Sequence, residues 1–274
     1  LIKDRLAVLI STRGSFNDFL FKLGPESIRG TVANFYDLTG KVLFKPSEKT
    51  RLSYTSYYSF DAFKLPSDSL NTVNVNATSS TYKYRTYNQT LRFNWFVGNS
   101  ASLTLAAIQS VYKANTSVPD TSIAFELNSG IRLRSLKARY VHSGKKNNLS
   151  FGLESNHYQI DPNQLVPGPF SNILPVNIPS EFARESAAYL ENEWKFSPRF
   201  SMLTGLRYSF FQRLGPDSVY LYAPEAIRRL ENVEENQFFD RGEVAKSYSG
   251  FEPRVSLRYS LDDNTSLKAS YNRM

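Results

Sequence analysis

Side chains with catalytic or metal-ligating chemistry are few in this chain, and they are scattered. There are two histidines and no cysteine, so disulfides and thiolate metal sites are excluded. Neither His142 nor His157 stands in a ligand pattern such as HExxH. His142 reads as a turn residue and His157 as a residue near the loop-side end of a strand. Glu191 and Glu193 are two residues apart, with Lys195 next in the series, and on a strand this spacing puts all three on one face. An acid pair for general acid–base chemistry needs such proximity, but so does a charge network between neighbouring strands. Gly-rich phosphate loops and a GxSxG elbow are absent from the sequence. These residues point away from an enzyme, and they call for no cofactor and no metal.

What the sequence does carry is alternation. From Phe251 to Ser260, Phe251, Pro253, Val255, Leu257 and Tyr259 alternate with Glu252, Arg254, Ser256, Arg258 and Ser260. After Asp262-Asp263-Asn264 the period resumes, with Leu267, Ala269 and Tyr271 against Lys268, Ser270 and Asn272. A period of two is a β-strand, and the Asp/Asn link makes the pair an antiparallel hairpin. One face of it is apolar along its length; the other bears Arg254, Arg258 and Lys268.

The same pattern recurs through all 274 residues. Apolar content is an ordinary 41%, yet aromatics reach 14%, with 20 Phe and 17 Tyr. No run approaches the roughly 18 apolar residues of a membrane helix, whereas alternating barrel strands look polar on average. The net charge of +8 is spread over polar strand positions rather than gathered in one patch, which disfavours a nucleic-acid partner.

About eleven strands are predicted in a meander. Short links fall near 46–49, 98–100, 142–148, 197–198 and 261–264, and they alternate with longer ones near 13–30, 64–79, 114–121, 161–181 and 214–249. Phe16, Phe19, Leu20 and Leu23 have the spacing of a short amphipathic helix. The parity change between Leu133 and Leu136 predicts a β-bulge at Arg134-Ser135. In the longest link, Val219–Tyr222 is expected to extend the preceding strand and Ala226–Leu230 to form a helical turn. One end with tight turns and one with long loops is the asymmetry of an up-and-down outer-membrane barrel, short turns inside and long loops outside. Phe44, Trp95, Trp194, Phe196 and Phe200 near the short turns suit an interfacial girdle.

Three stretches carry a family resemblance. Phe251–Tyr259 with its turn and Leu267–Arg273 resembles the barrel signature of TonB-dependent outer-membrane receptors. The pair Tyr189–Lys195 and Leu203–Tyr208 is similar to an earlier hairpin of that barrel. Leu9–Asp18 is similar to a strand-to-loop passage in members that carry an N-terminal carboxypeptidase-regulatory-like domain. The resemblance implies an all-β fold, a partial transmembrane antiparallel barrel of about half the family's 22 strands. Residues 1–274 are then expected to be a piece of the barrel domain, with plug, TonB box and remaining strands lying outside the sequence.

The function implied is TonB-coupled uptake of a scarce nutrient across the outer membrane of a Gram-negative bacterium. The nutrient classes are ferric siderophore, haem, cobalamin, and glycan or peptide. The partners implied are outer-membrane lipid, the plug of the same chain, TonB, and a small-molecule, metal-chelate or oligomer ligand. A passive porin-like channel is the alternative, and a soluble all-β sandwich with its apolar faces buried is a third. Read as barrel strands, Arg92, Glu191, Glu193, Arg207, Arg254, Arg258 and Lys268 face the lumen. The set Leu103, Leu105, Leu190, Leu206, Val255, Leu257 and Leu267 faces lipid. Tyr220, Tyr222, Phe238, Phe239 and Arg241, in the longest link, mix aromatic surface with charge and are the candidate ligand contacts.

Overall fold

Alternating sequence of this kind has one stable outcome, a sheet, and strands dominate the molecule. The computed structural model describes residues 4–25, 28–65, 79–120, 122–224 and 227–273. Strand β1 (Leu6–Phe16) is followed by the short helix α1 (Asp18–Lys22), then by β2 (Val32–Ser47), β3 (Thr50–Leu65), β4 (Ser80–Val97) and β5 (Ala101–Val118). Next come β6 (Phe125–Ser143), β7 (Asn147–Pro167), the two-residue β8 (Val176–Asn177), β9 (Glu181–Lys195) and β10 (Phe200–Leu214). The hairpin β11 (Asp217–Tyr222) and β12 (Val233–Phe239) precedes β13 (Val244–Ser260) and β14 (Ser266–Asn272). Eleven strands pair antiparallel with their chain neighbours in the order β1-β2-β3-β4-β5-β6-β7-β9-β10-β13-β14, and β8 adds to β7. This is the predicted meander.

Three of the tight turns share one chemistry. Ser47 Oγ accepts from the Lys49 N–H at 3.2 Å, and Ser197 Oγ accepts from Arg199 at 3.3 Å and Phe200 at 3.0 Å. Asp262 Oδ1 accepts from Asn264 and Thr265, both at 2.8 Å. A side-chain oxygen that captures an N–H two residues on is the usual way Ser and Asp fix a turn. Gly98 supplies the positive φ (64°) of the β4–β5 turn, which other residues resist.

Directly paired residues lie on the same side of a sheet, so the registers sort every strand residue into one of two faces. Leu206 pairs with Leu190, Leu190 with Phe151, Phe151 with Tyr140, and Tyr140 with Leu103. Val255, Leu257 and Leu267 join this face through Thr204, Met202 and Tyr259. The opposite face is polar. Among the described residues only Val118, Ala187 and Leu214 are buried apolar side chains, and none of the large ones is fully enclosed. Among the described residues no second layer covers the apolar face, whereas the soluble-sandwich alternative requires that face to be packed away.

The apolar face is bounded by two aromatic rows. On β2, β4, β10 and β13 an aromatic near the short turn is matched by another eight residues along: Phe44 and Tyr36, Trp95 and Tyr87, Phe200 and Tyr208, Tyr259 and Phe251. Cross-strand pairing carries Phe44 through Leu52, Phe93, Leu105, Ala138, Leu153, Ala188 and Tyr208 to Phe251. The short-turn row has by then moved from Phe251's position to Tyr259. The rows therefore climb one residue per strand, which with a rise of about 3.3 Å and a strand spacing of about 4.8 Å is a tilt of about 35°. Eight residues at that tilt bracket a band about 22 Å deep, close to the ~25 Å apolar band of outer-membrane barrels.

Three expectations are corrected. The ladder runs unbroken through Arg134 and Ser135; the register shift lies between Asn128 and Gly130, opposite Asp161–Gln164. Pro162 stands in that bulge, where a residue without an N–H interrupts no ladder bond. Ile131 and Leu133 consequently sit on the polar face. The link expected at 161–181 begins later, because β7 stays paired as far as Pro167 with Phe125. Val219–Tyr222 does not prolong β10 but pairs with Val233–Gln237 in the separate hairpin. Helix α1 forms as expected. Most of the 64–79 link and Ala226 at the head of the expected helical turn lie outside the described residues.

Candidate functional site

The polar face is built around Arg207, at the middle of β10. Its Nη1 lies 3.2 Å from Glu154 on β7, its Nη2 3.4 Å from Glu185 on β9, and its Nε 3.7 Å from Glu252 on β13. Arg207 also donates from Nε to Ser209 Oγ at 3.1 Å, and that hydroxyl donates to Glu252 at 2.5 Å. Lys137 on β6 reaches Glu154 at 3.6 Å, and the Tyr158 hydroxyl donates to Glu185 at 3.3 Å. Four strands are thus tied by one guanidinium whose side chain is only 17% exposed, and Lys137 adds β6 through Glu154. Carboxylates removed from bulk water need partners, and a planar fork with several donors can serve three at once.

Beside the hub is a pocket of about 260 Å³ lined by Arg139, Tyr189, Glu191, Gly205, Arg207 and Arg254 among others. Backbone left bare at Gly152 makes room for the Tyr189 ring, since a Cβ there would overlap the ring carbons. Arg139 donates to Ser150 Oγ at 3.0 Å. Nearer the short turns, Glu193 accepts from Asn148 at 2.9 Å. A second pocket, about 450 Å³, is ringed there by Lys145, Lys146, Lys195, Arg199 and Arg258, with Glu193 as its carboxylate.

All seven charges singled out in the sequence fall on this polar face: Arg92, Glu191, Glu193, Arg207, Arg254, Arg258 and Lys268. Arg207 lies in the ion-paired hub, and Glu191 and Arg254 line the pocket beside it. Arg258 pairs in register with Lys268 and belongs to the basic short-turn rim.

The candidate ligand residues are less united. Tyr220 and Phe238 share one side of the β11–β12 hairpin, and Phe238 is 63% exposed. Phe239 pairs with Asp217 on the other side, and Tyr222 follows the register shift opposite Val233. Arg241 lies beyond the hairpin and lines a pocket with Arg132, Arg134 and His157 on the apolar side of the sheet.

A set of tyrosines lies outside the sequence-predicted site residues. Tyr57, Tyr82, Tyr84, Tyr112 and Tyr158 stand on the polar face toward the long links. Tyr84 and Tyr112 are stacked at 6.3 Å. The signal was parity: Tyr82 and Tyr84 are out of phase with Leu91, Phe93 and Trp95 on the same strand. Among the described residues no group of three or more His, Asp or Glu is placed to hold a metal ion.

Over residues 9–273 the sequence matches the family described as TonB dependent receptor-like, beta-barrel. No curated protein matches it. Among solved structures it is similar to the ferric-catecholate import receptor Fiu of E. coli K12 in its open form, at 12% identity and a TM-score of 0.64, over 99% of this chain and 50% of that one. The ferric citrate transporter FecA, unliganded, aligns at 15% identity and 0.64 over 97% and 38%. The ferric yersiniabactin uptake receptor FyuA of Yersinia pestis aligns at 12% and 0.63 over 98% and 42%. The chain thus spans half or less of each of these proteins.

Proposed function

This chain belongs to the TonB-dependent receptors through its β-barrel, a family of the Gram-negative outer membrane, and from that premise we propose that it forms part of the wall of an energy-coupled importer of a scarce nutrient. The carrying observation is the uncovered apolar face between two aromatic rows, backed by a polar face whose central charges are ion-paired. In this reading the apolar face meets lipid, the polar face lines the lumen, and the long links face outward. A plug of the same protein fills the lumen, and TonB supplies the work of moving it. No covalent chemistry is required of these residues.

The ligand reading follows the polar face. Phenol rings toward the long links and the exposed Tyr220–Phe238 side of the hairpin suit a bulky, polar organic ligand. The similar proteins named for ferric-catecholate, ferric citrate and ferric yersiniabactin uptake support a metal chelate as the first class to test, ahead of haem, cobalamin, glycan or peptide. The experiment is uptake of radiolabelled iron chelates by cells with and without the full-length protein, with and without a protonophore. Saturable, energy-dependent uptake is expected. Linear, protonophore-insensitive entry of many small solutes would replace this reading with a passive channel.

A further inference from the structure

The apolar face is not uniform. Across β4 to β9 it carries a continuous furrow. At mid-band an apolar groove of about 470 Å³ runs over Leu91, Leu105, Ala107, Leu136, Ala138 and Leu153. It is hollow because the alanines at 107 and 138 stand where neighbouring strands present leucine. Toward the long links it opens into a second pocket of about 410 Å³, which shares Leu91, Ala107 and Leu136 and adds Gln109, Arg134 and His157. Arg134 and His157 in turn line a third, of about 180 Å³, with Arg132, Gln159 and Arg241. Hydrocarbon at one end thus grades into guanidinium at the other.

Depth fits the gradient. The long-link aromatic row passes through Tyr87 on β4 and, climbing one residue per strand, meets β6 at Arg134. Arg132 and, on β9, Arg184 lie beyond that edge, where headgroups begin. Their partners differ from those of the opposite face. Arg132 donates to Gln159 Oε1 at 3.3 Å, and Arg184 donates to Gln212 Oε1 at 2.9 and 2.6 Å. Both acceptors are neutral amides. Among the described residues none of Arg132, Arg134, Arg184 and Arg241 is in an ion pair, whereas Arg207 on the polar face has three carboxylates. Of the carboxylates on this side, Asp161 is occupied by Gln159 Nε2 at 3.3 Å and Ser180 Oγ at 2.5 Å, and Glu126 lies six residues farther out along β6 than Arg132. Arg85 and Lys113, paired in register, extend the positive edge.

We propose that this furrow binds one lipid of net negative charge carrying phosphate monoesters, its acyl chains in the Ala107–Ala138 groove and its phosphate among Arg132, Arg134 and Arg184. The proposal rests on the reading above in taking the apolar face to meet lipid and the long links to face outward, which makes the lipid one of the outer leaflet. Arginine is well matched to a phosphate, being planar, always charged and able to bind its oxygens in pairs.

The test uses the full-length protein, stripped of lipid in a non-ionic detergent and titrated by native mass spectrometry. The probes are a bisphosphorylated glucosamine-based glycolipid, phosphatidylethanolamine and inorganic phosphate. Saturable binding of one glycolipid is expected, and R134Q/R184Q should weaken it by about tenfold or more. Ala138→Trp, which fills the groove without touching charge, should weaken it too. Heat-dependent gel migration verifies that each variant is folded. Equal binding by both variants would overturn the proposal. So would phosphatidylethanolamine binding as well as the glycolipid, the mark of ordinary lipid solvation. Full competition by inorganic phosphate with Ala138→Trp unaffected would leave an anion pocket and no lipid site. Ligand and TonB are absent from this assay, so its outcome and that of the uptake experiment are read independently.

Discussion

An arginine scan along β4 tests the depth assignment most directly. Leu91 stands four residues from Trp95 and four from Tyr87, with its side chain on the apolar face and 47% exposed. Four residues span about 13 Å of strand, or about 11 Å of depth at a tilt of about 35°. That puts Leu91 at the middle of the band, with neither headgroup layer close. Arginine at a barrel's midplane costs about 2–4 kcal/mol, falling to about 0–1 near the interfaces. Leu91→Arg should therefore cost about 2–4 kcal/mol, while Trp95→Arg and Tyr87→Arg lose little beyond their ring contacts. Thr90→Arg, on the polar face, should stay within about 0.5 kcal/mol, as a surface substitution does; native Arg92 beside it already shows the face accepts the residue. The measurement is the urea midpoint of the full-length protein folded into phosphatidylcholine vesicles, followed by gel migration. Should Thr90→Arg cost more than Leu91→Arg, the faces are reversed. A flat profile over Trp95, Leu91 and Tyr87 would remove the band itself.

Arg207→Ala should cost about 1–3 kcal/mol, between the values for exposed and buried pairs, because it leaves Glu154, Glu185 and Glu252 without their shared cation. Arg207→Lys, which keeps the charge but not the fork, should recover part of this in the same urea assay; equal stability of all three proteins would show the hub is ornamental. At the β13–β14 turn, the N–H groups of Asn264 and Thr265 and the Thr265 side chain hold the Asp262 carboxyl below its ordinary value. A lowered folded value means the turn's contribution is present above the unfolded value near 3.9 and fades as pH falls through the folded one. Carbon-13 carboxyl shifts of Asp-labelled protein should place this midpoint below about 3.9, and a midpoint at or above it would show that the two amides are not held.

The faces were legible because a period of two is written in side-chain type. Phe251, Pro253, Val255, Leu257 and Tyr259 could take no other common side, and the tight turns announce themselves through Ser47, Ser197 and Asp262. What misled was local pattern where a partner strand decides. Ile131 and Leu133 looked like a change of phase within β6, yet the displaced residue belongs to β7 at Pro162, and only the pairing reveals it. Val219–Tyr222 has strand composition, but composition does not name the partner, and Val233–Gln237 claims it. The ionic hub was half visible. Arg207 and Glu252 could be put on one face by counting, but Glu154 and Glu185 come from strands paired through register, which no single stretch of sequence displays.

The same difference separates the two sets of arginines. Counting parity alone, Arg134 and Arg184 read as interruptions of an apolar face, and Arg207 as one more charge on a polar one. Register gives each a depth. Arg207 falls at mid-band on the polar face with only 17% of its side chain exposed, and a charge so removed from water has three carboxylates there. Gln89, on the apolar face within the band, follows the same rule: its amide is held by the hydroxyls of Tyr54, at 2.6 Å, and Tyr87. Arg134 and Arg184 fall at and beyond the edge, where water and headgroups solvate a cation and no protein carboxylate is required. For these four side chains pairing tracks depth: Arg207 and Gln89, within the span, are held by protein partners, and Arg134 and Arg184, at and beyond its border, have no carboxylate.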